Sequence, residues 1–386
     1  MTATLPLSLY IHVPWCVKKC PYCDFNSHGL KGRLPEREYV AALLADLDAD
    51  LRDFEASLAG RTIETVFFGG GTPSLFAPAA IGAILDGVTA RLPIAADAEV
   101  TLETNPGTVE HARFADYRQA GVNRISFGVQ SFDDGALERI GRIHGAEEAR
   151  RAVRSAQDDG ITNINLDLMY ALPGQDLAGA LADVTEAVAL APRHLSHYQL
   201  TLEPNTLFAA RPPKLPDDDS AWAMQEQCQS ALASAGYEQY EVSAYAQGAD
   251  AACRHNLNYW RFGDYLGIGA GAHGKLTARD GAIRRTWKQK HPERYLATAG
   301  ERGRLGGDEF VAAAEVPFEY MLNALRLNEG FALSSFAWRA GLPAESIAPE
   351  IERCERRGWL ERERDFVRAT ELGRRFLNDV MAEFLP

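Results

Sequence analysis

Strand-like and helix-like segments alternate along about the first 240 residues of the chain. The first strand-like run, LSLYIHV at residues 7–13, precedes a segment whose apolar residues, from Val40 to Phe54, recur at helical spacing. Further strands are predicted at residues 64–70, 99–104, 124–129, 163–170 and 195–202, and further helices near residues 78–91, 108–120, 146–159 and 176–190. Such alternation favours parallel strands joined by right-handed helical crossovers. We therefore predict an α/β fold, a partial (β/α)6 barrel with its chemistry at the carboxyl ends of the strands.

The alternation weakens after residue 202, where a Pro-rich and then acidic segment leads out of the barrel. A helix near residues 219–235 and a strand at residues 237–246 are predicted next, before an aromatic and glycine-rich region. From about residue 310 the pattern is helical apart from a hairpin in WLERERDFVRAT, which is typical of an α-rich, winged-helix-like bundle. The predicted organisation is a core domain at residues 1–245, a connecting region at 246–309 and a C-terminal helical domain at 310–386.

The charge and hydropathy of the chain disfavour several functional classes. Forty Lys and Arg residues against 53 Asp and Glu residues give a net charge of -13, which repels phosphate backbones. The arginines between Arg353 and Arg375 alternate with acidic residues, so they indicate a solvated surface and not a nucleic-acid site. No apolar stretch of about 18 residues predicts a membrane-spanning helix, and the first residues lack the pattern of a signal peptide. We expect a cytoplasmic protein that meets membranes only through its partners.

Three of the six cysteines are clustered in CVKKCPYC, just after the first predicted strand. In a reducing compartment the C-x3-C-x2-C spacing indicates a metal or redox site and not a disulfide framework. Thiolates at Cys16, Cys20 and Cys23 suit a [4Fe-4S] cluster and leave one iron free to bind a small molecule. The alternative is structural zinc, which would need a fourth ligand from His12, Asp24 or His28.

Glycine and polar residues follow the other predicted strands, where the barrel would open. The turn GGGTPS at residues 69–74 follows the second strand, and its glycines would let backbone amides approach a ligand. Further polar residues at or just beyond strand ends are Glu103, Gln130, Ser131, Arg142 and Asp167. Each of these alone is equally well explained as a surface or capping residue, so their significance depends on the cysteine motif.

The cysteine motif, with the aromatic Tyr22 directly before its last cysteine, resembles the signature of the radical S-adenosylmethionine (SAM) superfamily. The resemblance implies a radical SAM barrel in which the three cysteines hold the cluster while the amino and carboxylate groups of SAM chelate the fourth iron. Over nearly the whole chain, the sequence also resembles the oxygen-independent coproporphyrinogen III oxidase family. That resemblance implies SAM-contacting positions at Tyr10, Tyr22, Gly70, Gly71, Thr72, Glu103, Gln130, Arg142 and Asp167.

Two departures separate this chain from the oxidases of that family. The oxidases carry a fourth cysteine two residues after the third, where this chain has Phe25, and they have a longer N-terminal extension. In both respects the chain is similar to the heme chaperone branch, HemW, whose His-Asn-x-x-Tyr-Trp motif matches HNLNYW at residues 255–260. The resemblance implies that His255 contacts heme, whereas the residues alone favour a packed aromatic cluster. Cys253 is an alternative iron ligand.

The resemblance therefore implies a heme chaperone that carries a [4Fe-4S] cluster, SAM and heme, and passes heme to acceptor hemoproteins such as respiratory enzymes. Two other functions stay open: a coproporphyrinogen III oxidase of porphyrin biosynthesis that uses radical chemistry, and a radical methyltransferase-like enzyme. The sequence also leaves open whether SAM is cleaved or only bound, which protein accepts the heme, and whether the chain forms a homodimer.

Overall fold

Six β/α units form the centre of the fold. The computed structural model describes residues 4–108 and 114–386. The strands of the first half are β1 (Leu7–Val13), β2 (Trp15–Cys16), β3 (His28–Gly29), β4 (Ile63–Gly70), β5 (Ile94–Thr104), β6 (Arg124–Gln130), β7 (Asn163–Tyr170) and β8 (His194–Gln199). Its helices are α1 (Glu36–Asp53), α2 (Glu55–Leu58), α3 (Pro78–Thr89), α4 (Phe114–Gln119), α5 (Asp134–Arg139), α6 (Ala146–Asp158) and α7 (Leu177–Ala189). The helix predicted near residues 108–120 falls partly outside the described ranges.

Strands β1, β4, β5, β6, β7 and β8 lie side by side in this order, and every neighbouring pair is parallel. Strand β1 is buried along almost its whole length because helices cover the parallel sheet, which explains its continuous apolar sequence. Parallel pairing brings the carboxyl ends of all six strands to one edge. The α/β fold with six repeating units is therefore confirmed.

The second half of the chain extends this sheet and builds a smaller core. Its strands are β9 (Glu238–Gln239), β10 (Ala244–Ala246), β11 (Asp264–Ile268), β12 (His273–Thr277), β13 (Ile283–Lys288), β14 (Leu305–Phe310), β15 (Phe331–Ala332), β16 (Leu360–Glu363) and β17 (Phe366–Ala369). Its helices are α8 (Leu207–Ala210), α9 (Asp218–Ser234), α10 (Arg254–Trp260), α11 (Pro292–Thr298), α12 (Val316–Ala324), α13 (Leu333–Ala340), α14 (Ala348–Arg356), α15 (Glu371–Arg375) and α16 (Leu377–Ala382). Within the described ranges, none of the helices combines the length and the apolar character needed to cross a bilayer.

Both edges of the parallel sheet differ in detail from the sequence-based expectation. The strand predicted at residues 237–246 is divided into the antiparallel pair β9 and β10, because the chain turns where Glu241 Oε1 accepts hydrogen bonds from Ser243 N (3.1 Å) and Oγ (3.0 Å). At the opposite edge, β11 pairs with β1 in parallel, and β12, β13 and β14 follow in antiparallel order. Residues 246–309, expected only as a connection, thus add four strands to the main sheet.

The C-terminal bundle has its own apolar core. Strands β16 and β17 form the predicted hairpin, and β15 adds a third strand to it. Buried side chains from α12, α13 and α14 pack beside this small sheet, together with Phe262 and Ile283 from the main-sheet region. The α-rich bundle with its hairpin matches the winged-helix-like architecture that the sequence predicts.

A buried ionic network joins α1 to the end of β13. Lys288 Nζ donates to Asp46 Oδ1 (2.6 Å) and Asp50 Oδ1 (2.7 Å), and all three side chains are almost completely buried. Arg304 lies against the same two carboxylates, with Nη2 2.8 Å from Asp50 Oδ1. Because paired charges inside a protein must be compensated by their partners, this network fixes the added strands to the first helix.

Candidate functional site

The three clustered cysteines lie in the loop that follows β1, at the edge where the carboxyl ends of the parallel strands meet. Each is a free and partly exposed thiol, and all three line one cavity of about 130 Å³. Cys23 Sγ lies 3.5 Å from Ser27 Oγ. Burial raises the pKa of the Cys16 thiol, and a hydrogen bond with the Thr72 hydroxyl acts in the opposite direction. The loop therefore holds three candidate thiolate ligands at one opening.

One of the three candidates for a fourth zinc ligand is already engaged inside the protein. Within the described ranges, no group of three or more His, Cys, Asp or Glu side chains converges on one metal position. Zinc would need all its ligands at about 2.0–2.3 Å. His12, one candidate for the fourth ligand, is already hydrogen-bonded through Nδ1 to Tyr10 Oη (3.0 Å) and through Nε2 to Asn26 O (2.9 Å). A [4Fe-4S] cluster instead takes each thiolate on a different iron.

The glycine turn after β4 allows a close approach between two segments of the chain. Its amides donate within the protein, from Gly70 to Glu103 Oε2 (3.1 Å), from Gly71 to Val13 O (2.7 Å) and from Thr72 to Trp15 O (2.8 Å). A Cβ atom at Gly70 would lie 2.4 Å from His12 Cε1, and one at Gly71 would lie 2.5 Å from Trp15 O. These three amides therefore have partners inside the protein, while the residues themselves line the small cavity and their predicted contact with SAM stays a prediction. The glycines allow the end of β4 to approach the chain that follows β1.

Glu103 on β5 and Asp167 on β7 place two carboxyl groups in the same cavity. Burial and, secondly, the charge of Asp167 raise the pKa of Glu103 to about 8. Burial also raises the pKa of Asp167, although Asn165 Nδ2 donates a hydrogen bond to Oδ1 (2.8 Å) and favours the carboxylate. A cationic ligand would lower both pKa values, so this wall of the cavity favours a positively charged group.

Gln130, Arg142 and Tyr22 complete the predicted lining of this cavity. Gln130 adopts the left-handed conformation (φ 73°) at the end of β6, and its Oε1 accepts a hydrogen bond from Tyr198 Oη (2.9 Å). Arg142 donates to Cys20 Sγ (3.7 Å) and to a backbone carbonyl, while its Nε has no partner within the described structure. The cavity thus gathers the three cysteines and all the residues predicted to contact SAM except Tyr10.

Two predicted polar residues lie outside the small cavity. Tyr10 lines a larger neighbouring cavity. Ser131 is completely buried, and its Oγ donates to Asp183 Oδ2 (2.8 Å). Ser131 therefore makes a buried structural hydrogen bond and lines neither cavity.

The raised pKa of Glu103 leads to a prediction about stability and pH. The unfolded chain releases the Glu103 proton near pH 4.5 and the folded chain near pH 8, so folding should become less favourable as pH rises through this window. Each pKa unit corresponds to about 1.4 kcal/mol, and water in the cavity reduces the effect, so we expect on the order of 2–3 kcal/mol. Urea unfolding of the ligand-free wild type and Glu103→Gln between pH 5 and pH 8, at about one-unit intervals, should show the variant gaining relative stability. Parallel curves would contradict the prediction.

A larger cavity of about 850 Å³ adjoins the first. The two share a wall formed by Cys23, Phe25, Ser27, Gly70 and Glu103. Other lining residues of the larger cavity come from α10, from the turn after it and from strands β11, β12 and β13. They include the aromatic residues Tyr259, Trp260, Phe262 and Tyr265 and the basic residues Lys275 and Arg285. Its volume lies in the range of pockets that bind organic ligands, about 300–1,000 Å³.

Comparisons with known proteins place this chain among characterised families. Residues 10–183 match the Radical SAM superfamily, and residues 311–376 match the HemN C-terminal domain. The heme chaperone HemW of Escherichia coli (strain K12) is 53% identical over 381 residues, which cover 98% of each chain. The chain belongs to the HemW family. HemW of Haemophilus influenzae is 49% identical over the same shares, and HemW of Mycobacterium tuberculosis (strain H37Rv) is 35% identical over 89% of this chain and 87% of that one.

The solved structure of the coproporphyrinogen III oxidase HemN from Escherichia coli is also similar. It superposes with a TM-score of 0.82 over 99% of this chain and 90% of that chain. At 22% sequence identity, this likeness shows the fold alone. Membership of the radical SAM superfamily implies a [4Fe-4S] cluster and SAM, and the small cavity offers three thiols and paired carboxyl groups that fit them. The predicted family and these two cofactors are confirmed.

The HNLNYW motif of this HemW-family chain forms helix α10 and is packed into the protein. Only 1% of the His255 surface is exposed. Its Nδ1 lies 2.8 Å from Thr65 Oγ1 and its Nε2 lies 2.9 Å from Tyr259 Oη. Burial lowers the pKa of His255 to about 3. The ring lines neither cavity. Because both of its nitrogens are engaged, a contact with heme iron would also require one of these hydrogen bonds to break. The predicted role of His255 stays a prediction.

Several residues of the site were not found by sequence reasoning. Tyr198, at the end of β8, holds Gln130 and lines the small cavity, and its position in the predicted strand LSHYQLTL was the available signal. Asn26 connects the cysteine loop to the far side of the larger cavity, because its Nδ2 donates to Ala270 O (2.8 Å) and Lys290 O (2.8 Å). No local pattern announces that contact, since its partners lie more than 240 residues away.

Proposed function

We propose that this chain is a heme chaperone that binds heme in the larger cavity and passes it to acceptor hemoproteins such as respiratory enzymes. The observation that carries the proposal is the cavity of about 850 Å³ beside the cysteine loop. Its aromatic side offers flat apolar surfaces against which a porphyrin packs. Arg285 is paired with Glu319 through Nη2, but its buried Nε has no partner within the described structure and supports a contact with a propionate carboxylate of heme. The names of the relatives, heme chaperone HemW, support the same function.

We infer that the smaller cavity holds the cofactors, with Cys16, Cys20 and Cys23 on the cluster. When bound, the cluster supplies an open iron for SAM and a site of one-electron chemistry. Glu103 and Asp167 accept hydrogen bonds from the ammonium or the ribose hydroxyls of SAM, and binding of that cation favours their ionised forms. Arg142 has an unpartnered buried Nε that supports a contact with the carboxylate of SAM.

The coproporphyrinogen III oxidase alternative has less support. Phe25 stands where the oxidases carry their extra cysteine, and this residue, 60% exposed, lies at the wall between the cavities. A phenyl group supplies no ligand to iron. The similarity to HemN is one of fold, whereas the relatives at 49–53% identity bear the chaperone name.

The cellular setting follows from the same proposal. All six cysteines are free, which fits a reducing compartment and supports a location in the cytoplasm. The acceptor is a hemoprotein, and contact with a membrane would occur through that acceptor.

The proposal is tested by two measurements on the anaerobically reconstituted full chain. Heme titrated into the protein should bind saturably, with a change in the Soret absorbance. Incubation with coproporphyrinogen III, SAM, a reductant and an electron acceptor should yield no protoporphyrinogen IX. The cysteine triple variant Cys16→Ser, Cys20→Ser, Cys23→Ser serves as the control for cluster-dependent conversion. Absence of saturable heme binding, or cluster-dependent formation of protoporphyrinogen IX, would contradict the proposal.

A further inference from the structure

We propose that His273, at the start of β12, is an axial ligand of the heme iron in the larger cavity. The inference rests on the proposed heme-binding function and assigns a ligand outside the HNLNYW motif. His273 lines the cavity, and its side chain is exposed there. A histidine in this position can offer an imidazole nitrogen to iron without unfolding any part of the site.

Hydrogen bonding distinguishes His273 from the other histidines near the cavity. His12 and His255 each use both ring nitrogens inside the protein. The Nε2 atom of His28 lies 3.3 Å from Asn26 Oδ1, so one of its ring nitrogens is also engaged. Across residues 4–108 and 114–386, the ring nitrogens of His273 have no hydrogen-bond partner. His273 is therefore the cavity histidine that can bind iron at the smallest cost in lost contacts.

The surroundings of His273 hold its backbone and its ring in place. The ring stacks on Trp287, its cross-strand neighbour on β13, with ring centroids 6.2 Å apart and planes inclined by 22°. The backbone is fixed by the close approach of β11, because a Cβ atom at Gly267 would lie 1.9 Å from His273 O. A ligand held on a rigid strand keeps its orientation toward the iron.

The neighbouring strand β13 carries a cation for the carboxylates of heme, because the Lys275 ammonium on β12 is buried and paired with Asp264 Oδ1 (3.2 Å). Side chains two residues apart on a strand point to the same face, so His273 and Lys275 share a face of β12. Lys275 is directly paired across the ladder with Arg285, whose buried Nε lacks a hydrogen-bond partner within the described structure. The iron ligand His273 and the propionate partner Arg285 thus lie on adjacent strands along one wall of the cavity.

The electrostatic surroundings also favour the ligating form of the imidazole. Partial burial in the cavity wall and, after it, the charges of Lys290 and Arg285 lower the pKa of His273. A neutral imidazole has a free lone pair for iron, whereas the protonated ring does not. Arg285 therefore has two effects: it offers a partner to a heme carboxylate, and its charge favours the neutral form of the His273 imidazole.

The test is a heme titration of the full, cluster-loaded chain, comparing wild type with His273→Ala, His255→Ala and His291→Ala. His291 is exposed and does not line the cavity, so its removal controls for the loss of a surface histidine. Loss of a group that only orients a metal ligand costs roughly 10–100-fold in affinity, so loss of His273 itself should weaken heme binding by at least about tenfold. The Soret band should also shift, and added imidazole should restore it. His291→Ala should match the wild type.

The outcomes separate this inference from the proposed function. A wild type that binds no heme contradicts the chaperone function itself. A wild type that binds heme, together with a His273→Ala variant of unchanged affinity and Soret band, overturns the inference alone. The same holds if only His255→Ala loses the band. His273→Asn, which keeps a polar side chain on β12, guards against misfolding, and its cluster absorbance and circular dichroism should equal those of the wild type.

Discussion

Replacing Cys16, Cys20 or Cys23 by serine should remove nearly all of the iron–sulfur cluster. Each thiolate would hold a different iron, and the three lie on one short loop at one cavity, so no other thiol can substitute for a lost one. The reconstituted wild type should contain about four irons and four sulfides per chain. Each single variant should retain only a small fraction of both, and should lose the broad visible absorbance of the cluster. Iron, sulfide and zinc analysis of anaerobically reconstituted protein gives the measurement.

Matched controls come from the remaining cysteines. Cys228, Cys253 and Cys354 are completely buried and do not line the small cavity, so replacement of each by serine should leave the iron and sulfide content close to that of the wild type. Asp167→Ala should keep the cluster and weaken SAM binding, because its carboxyl group lines the cavity without being a ligand. Loss of the cluster on removal of a buried cysteine, or purified protein with zinc and no sulfide, would refute the assignment.

Lys288→Met should destabilise the fold strongly. The lysine neutralises Asp46 and Asp50 at distances of 2.6 and 2.7 Å in a fully buried position. Its removal leaves two buried carboxylates with Arg304 as their nearest cation, and breaking a buried pair in this way costs about 3–5 kcal/mol. Urea unfolding of the full chain, followed by far-ultraviolet circular dichroism, should show a clearly lower midpoint for the variant.

The control for this experiment is an ion pair that remains in contact with water. Asp48 lies on α1, the helix that also carries Asp46 and Asp50, and its Oδ1 is 2.7 Å from Arg91 Nε. Both side chains of this pair are partly exposed. Exposed pairs contribute about 0–1 kcal/mol, so Arg91→Met should shift the midpoint only slightly. If the two methionine variants unfold at the same urea concentration, the buried network does not fix β13 to α1 as we infer.

The repeating β/α core could be predicted because its signals are local. The alternation of apolar runs marks β1, β4 and the later parallel strands, and the right-handed crossover rule then fixes their common direction. Strands β11 to β14 could not be predicted in the same way. Strand β11 pairs with β1 across more than 250 residues, and nothing in its short glycine-containing sequence specifies that partner. The turn at Glu241 likewise depends on one side-chain contact within an otherwise strand-like segment.

The candidate site was predictable to the extent that it follows from strand ends. Glu103, Gln130 and Asp167 meet at one edge because parallel strands end there, so their positions along the sequence were sufficient. The hydrogen bonds of the glycine amides and of His255 were not predictable. Each depends on a partner supplied by another element, as Thr65 on β4 shows for His255 on α10. Residue type and spacing indicate where a polar group lies, but not which hydrogen bonds it already makes inside the protein.

The wall of residues common to the two cavities has a thermodynamic consequence. Glu103 and Cys23 border both spaces, so a ligand on one side changes the charge or the shape of a surface that the other side presents. Linkage makes such an influence reciprocal: if SAM changes the affinity for heme by some factor, heme changes the affinity for SAM by the same factor. The retention of heme in the larger cavity and the occupancy of the smaller cavity by SAM would then vary together. If heme and SAM occupy the two cavities as proposed, release of heme to an acceptor depends on whether SAM is bound on the other side of this wall, without any movement of a domain.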